Sequence, residues 1–152
     1  MSAYIDLSQN YSFYALPLAW FLTFVPGAYA KSSGGGKNYD LANPRQYIES
    51  VQKDERLTKA AKNKILRCEA AAANGRETLG VFIGAVLAAN YASVPVETIN
   101  TLAGSYLASR AAYNFIYIVL QENRKFAPLR SLVWIYGIGV CMTLFVKAGN
   151  RL

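Results

Sequence analysis

Three stretches of this chain place side chains that bind anions and move protons at helical spacing within apolar sequence. Arg67, Ala70, Asn74 and Glu77 recur at three- and four-residue intervals, as do Tyr106, Arg110, Tyr113 and Tyr117, so each set lies along one helix face. Arg130 and Ser131 stand together at the start of a further apolar run, with Arg124 shortly before them. The chain has no histidine, which removes a serine–histidine–acid triad, histidine-ligated zinc or haem, and a histidine base. Proton chemistry therefore falls to Tyr, Arg, Ser, Glu or Asp. Cys68 and Cys141 are too few and too far apart for a disulfide scaffold or a cysteine metal site, so both read as free thiols and no metal is expected.

The elements that carry these residues follow from the charge pattern. Of 152 residues 53% are hydrophobic and 16% charged, the net charge is +7, and the charges crowd into blocks separated by uncharged runs. That pattern excludes disorder and points to an all-α membrane protein of one domain, residues 1–152. The run between Asp6 and Lys31 has a core from Tyr11 to Ala30, which at about 1.5 Å per residue gives roughly 30 Å of helix, enough to cross a bilayer. Ala28, Tyr29 and Ala30 imitate a signal-peptide cleavage site, but the segment before them carries Asp6 and no basic residue, so the membrane-helix reading is preferred. Proline at Pro95 ends one helix and opens the next. Four membrane helices are expected, at about 8–30, 58–92, 95–121 and 129–148, with a loop at 31–57.

Within that loop, Ser32–Gly36 reads as a flexible linker, Asn43-Pro44 as a turn, and Arg45–Arg67 as mixed-charge and helix-favouring. Residues 31–77 hold ten Lys or Arg and residues 122–130 three more, so both segments are assigned to the cytoplasm and both termini to the lumen. The basic excess is interleaved with acids, which makes it a solvated face at the membrane surface rather than a nucleic-acid site. An arginine at mid-membrane demands a partner. Folding the hairpin about Ser93 and Val94 brings Glu77 level with Arg110, Asn74 with Tyr113 and Ala70 with Tyr117. Glu77 and Arg110 then read first as a pair that holds helices together. Tyr113, Tyr117, Arg130 and Ser131, near the cytoplasmic end, read as a site.

These residues resemble the MAPEG family, the membrane-associated proteins in eicosanoid and glutathione metabolism. The family's second-helix signature is matched in RCEAAAANGRET by Arg67, Asn74 and Glu77. Its third-helix arginine and the positions three and seven residues later are matched by Arg110, Tyr113 and Tyr117, and its fourth-helix arginine in APLRSLVW by Arg130 beside Ser131. The resemblance implies a homotrimer of four-helix subunits, with sites at subunit interfaces facing the cytoplasm and open to lipid; the expected membrane is that of the endoplasmic reticulum, which the basic cytoplasmic face and the lack of a clear cleavable signal suit. The resemblance also implies roles. Arg130, Ser131, Tyr117 and, as an alternative cation, Arg124 would serve catalysis, while Arg67, Asn74, Glu77, Arg110 and Tyr113 would bind glutathione. A guanidinium beside a thiol favours the thiolate nucleophile.

The chain departs from the family pattern at Ala70, Ala71, Ala72 and Ala73, where many glutathione-using members carry arginine or other basic residues. Glutathione has two carboxylates, normally held by forked arginine contacts. Three functions therefore stand open. The first is glutathione transfer or peroxide reduction on a lipophilic substrate. The second is a glutathione-independent isomerase or cyclase that uses the same cleft for a hydrophobic intermediate. The third is a non-catalytic lipid-presenting scaffold.

Overall fold

The computed structural model describes residues 8–152. Asp6 and the N-terminal end whose side was read from the charge bias lie outside the described residues. The chain is all-helical, and the described residues contain no strand. They form α1 (Ser12–Ala30), α2 (Tyr47–Lys53), α3 (Lys59–Tyr91), α4 (Val96–Ile118) and α5 (Ala127–Gly149), joined by short helical turns. Among the described residues two stretches are long and apolar enough to cross a membrane, Ser12–Asn38 and Arg124–Gly149. The other two long helices carry charge, Arg67, Arg76 and Glu77 on α3 and Arg110 on α4.

Local chemistry sets the helix ends. The Thr58 hydroxyl accepts from the Ala61 amide at 3.2 Å and so caps α3. Ser93 takes a positive φ of 52° between α3 and α4, and Pro95 stands directly before the first helical residue of α4. Burial follows three-and-four spacing on each long helix. On α3 the buried face includes Ile65, Cys68, Ala72, Gly75, Phe82, Val86 and Ala89; on α5 it is Gly137, Val140, Cys141, Leu144 and Ala148. Phe82 and Tyr106 stack with centroids 3.9 Å apart at the centre of the larger core. Both cysteines are buried free thiols.

Small residues let the helices approach closely. A Cβ on Gly75 would meet Thr23 of α1 at 3.2 Å, and one on Gly137 would meet the Ser109 hydroxyl of α4 at 2.9 Å. Helix α1 contains Pro17 and Pro26. Pro26 lacks the amide that would serve the Leu22 carbonyl. Asn114 of α4 supplies it instead, its Nδ2 donating to that carbonyl at 3.1 Å. At the opposite end of α1, Asn10 bonds to Asn90, and Asn100 accepts from the Tyr11 amide at 2.9 Å and donates to the Gln9 carbonyl at 2.7 Å.

The stretch expected to be a flexible linker is ordered. Residues 31–35 continue α1 as a wide helical turn, broken at Gly34 with φ 108°, and Gly35 is buried. A Cβ on Gly35 would collide with the Tyr47 hydroxyl and lie 2.9 Å from the Ala30 carbonyl. Tyr47 from α2 is 3% exposed and packs in a second core with Ala30, Val51, Ile65 and Cys68. The glycines permit this close approach, where composition alone reads as looseness. Burial, with Glu69 nearby, pushes the Tyr47 phenol up to about 12.

Candidate functional site

Helix α4 places Arg110, Tyr113 and Tyr117 one turn apart, and α5 brings Arg130 to the end of that row. The Arg110 guanidinium lies 4.5 Å from the Tyr113 ring centroid. Tyr113 meets Tyr117 edge-on at 5.7 Å. The Arg130 guanidinium covers the Tyr117 ring at 4.5 Å. The four side chains form one ladder of cations on aromatic faces, and each face contact contributes about 0.5–2 kcal/mol depending on desolvation.

Arg110 is 6% exposed, and its side-chain hydrogen bond runs to Asn74 Oδ1 at 3.1 Å. This corrects the pairing expected from the sequence. Glu77 is exposed on the outer face of α3 and makes no ion pair with Arg110; among the described residues the ion pairs are Lys53–Glu49 and Arg56–Asp54. The reason is side-chain length. The Phe82–Tyr106 ring stack sits where the hairpin register puts it, but the long α4 side chains reach a further turn along α3, so the Tyr106 hydroxyl meets Thr78 at 3.4 Å and Arg110 meets Asn74.

Two clefts open on either side of the ladder. The first, about 340 Å³, is lined by Asn74, Tyr113, Arg130, Ser131, Trp134 and Ile135. Ser131 Oγ donates back to the Ala127 carbonyl at 3.4 Å, which leaves its lone pairs for the cleft. The second cleft, about 480 Å³, includes Arg67, Ala70, Tyr117, Gln121, Glu122 and Arg124 in its lining. Here Arg67 Nη2 donates to the Ile118 carbonyl at 3.4 Å, serving the last turn of α4. Arg67 Nε and Gln121 Oε1 are buried without partners.

The sequence-derived residues therefore divide. Asn74, Tyr113, Arg130 and Ser131 share the first cleft, while Arg67, Tyr117 and Arg124 share the second. Arg110 backs the first cleft through Asn74 and Tyr113, and Glu77 lines neither. Sequence reasoning missed Trp134, Ile135 and Gln121. The first two follow Arg130 and Ser131 by one helical turn, so extending the α5 face would have found them.

With this arrangement in view, comparison with protein families matches the chain to the MAPEG family over residues 11–150. The chain belongs to the MAPEG family. Membership and the two apolar spans together make it an integral membrane protein. Comparison with curated proteins and with solved structures finds no match. The matched region of this MAPEG chain contains all four long helices and every residue of both clefts.

Proposed function

We propose that this chain is a membrane enzyme of the glutathione transferase or peroxidase type, activating glutathione against a lipophilic substrate in the first cleft. The observation that carries the reading is Arg130, a half-buried guanidinium seated on the Tyr117 ring and lining a cleft beside Ser131, Trp134 and Ile135. Glutathione supplies the thiol. Arg130 favours its deprotonated form, Tyr113 lines the same cleft with a phenol that can donate to it, and Ser131 can do so by turning its hydroxyl away from the Ala127 carbonyl. Trp134 and Ile135 offer apolar surface to a lipophilic partner.

The second cleft supports a peptide ligand. It presents a partnerless donor, Arg67 Nε, and a partnerless acceptor, Gln121 Oε1, with Arg124 and Glu122 beside them. A ligand bearing both carboxylate and ammonium groups satisfies such a set. Ala70 lines the same cleft without offering a donor, and this favours the second reading, a glutathione-independent isomerase or cyclase. Titration of the purified protein with glutathione separates the two. A saturable thiolate absorbance, lost in Arg130→Ala and kept in Arg124→Ala, is expected. Turnover of a lipophilic intermediate without any thiol would refute the glutathione reading.

We infer also that all four long helices cross the membrane and that three chains assemble. Arg76 and Glu77 lie on the outer face of α3, midway along a helix of 33 residues, about 50 Å long. Charges there are costly in lipid, and contact with neighbouring subunits removes them from it. The basic loop then faces the cytoplasm, with the endoplasmic reticulum as the expected membrane. Trypsin should cut at Arg45, in the exposed turn at 41–46, in sealed microsomes, and protection of that turn would reverse the orientation.

A further inference from the structure

The cleft between α1 and α4 lies apart from both clefts described above and shares no lining residue with them. It measures about 310 Å³; Leu22, Val25, Phe115 and Val119 form much of its wall, Asn114 lines it, and Tyr29 stands at one end. The Asn114 amide and the Leu22 carbonyl bond to each other across it. Along its length the trough is therefore an apolar surface whose polar atoms serve one another. Val25, Phe115 and Val119 remain exposed.

At the Tyr29 end the chemistry changes. Lys64 of α3 holds its Nζ 4.9 Å from the Tyr29 ring centroid. Lys64 takes part in neither of the ion pairs among the described residues; Glu122 is the carboxylate that acts on it from a distance. An apolar trough closed by a cation and a phenol is complementary to an acyl chain that ends in a negatively charged headgroup.

We propose that the α1–α4 cleft is a binding site for an anionic phospholipid of the surrounding bilayer. Its acyl chain lies along Leu22, Val25, Phe115 and Val119, and its phosphate meets Lys64 and the Tyr29 hydroxyl. This rests on the membrane setting of the chain and not on the glutathione reading.

The test uses the full chain in phosphatidylcholine vesicles containing a minor fraction of phosphatidylglycerol, with photoreactive acyl analogues of each lipid added in turn. Cross-linked peptides from residues 22–29 and 111–119 should favour the phosphatidylglycerol analogue by about fivefold, the effect of roughly 1 kcal/mol from one lysine at an anionic surface. Lys64→Met should abolish that preference while leaving helicity and the glutathione titration as in the native protein. Ala111→Phe, at an exposed position on the cleft wall, should lower labelling there by both analogues. Equal labelling by the two lipids in the native protein would overturn the proposal. So would a preference that survives Lys64→Met, or labelling concentrated on the outward face of α5.

Discussion

Asn74→Leu removes the acceptor that the structure gives to a buried arginine, and the size of the effect can be worked from the contacts. Arg110 is 6% exposed and keeps only the Tyr113 ring, at 4.5 Å, as a described partner once Asn74 Oδ1 is gone. A hydrogen bond to a charged group contributes about 1.5–3 kcal/mol, and leaving a buried charge without its partner costs about 3–5 kcal/mol at the upper end. Asn74→Leu should therefore destabilise the protein by about 2–4 kcal/mol, because the ring contact offsets about 1 kcal/mol of the larger figure. Arg110→Met alone removes the charge and should cost somewhat less, about 1.5–3 kcal/mol, for the one charge-assisted hydrogen bond lost. In the double variant neither group is left stranded, so the losses should fall short of their sum by about 2 kcal/mol. Unfolding in detergent followed by circular dichroism measures all four corners of this cycle. Glu77→Gln, run against Arg110→Met in a second cycle, should show coupling below about 0.5 kcal/mol. Stronger coupling of Arg110 to Glu77 than to Asn74 would refute the assignment of the partner.

Other consequences can be checked in the same way. Gly35→Ala should destabilise by about 1–3 kcal/mol through overpacking, and Tyr47→Phe should restore part of the loss in a thermal melt, since it removes the hydroxyl that an added Cβ strikes. Tyr47→Phe alone should be neutral or stabilising, because that hydroxyl is buried without a partner. Asp54 is held below the usual carboxylate range by hydrogen bonds from Arg56 and Asn38. Its contribution is therefore complete above an ordinary carboxyl pKa of about 3.9 and declines as pH falls below it. Limited proteolysis of the 38–56 segment should accelerate only at such low pH, and Asp54→Asn should remove that acid-induced change. Tyr117→Phe keeps the ring beneath Arg130 and should preserve glutathione affinity within about twofold, whereas Tyr117→Leu should weaken it about fivefold, the equivalent of one face contact near 1 kcal/mol.

The helices were legible in the sequence where a residue carries its own punctuation. Thr58 and Pro95 mark starts that any neighbouring packing would respect, because one supplies a cap and the other cannot extend a preceding helix. The partner of Arg110 was not legible. Equal Cα depth is a statement about backbone, while an arginine tip moves by a full turn, and only the packed structure shows that it moves toward Asn74. The division of the site into two clefts was hidden for a related reason: Arg67 and Asn74 share a helix face by periodicity, yet the Arg130–Tyr117 contact stands as a wall between their surroundings. The order in the glycine stretch was hidden too, since composition cannot distinguish a glycine chosen for mobility from one chosen to admit a tyrosine.

Synthesis order gives the proline in α1 a further significance. The Leu22 carbonyl that Pro26 leaves open finds its donor 92 residues later, at Asn114. At about 5–20 residues per second the ribosome needs roughly 5–20 s to make that donor, and throughout this interval α1 carries an open carbonyl that lipid cannot serve. The contacts from Asn10 to Asn90 and from Tyr11 to Asn100 wait over similar spans. Helix α1, made before the other described helices, is thus among the last to be completed. Loss of Asn90, Asn100 or Asn114 should register in cells as slow maturation and degradation of the whole chain, with the chemistry of the surviving molecules intact.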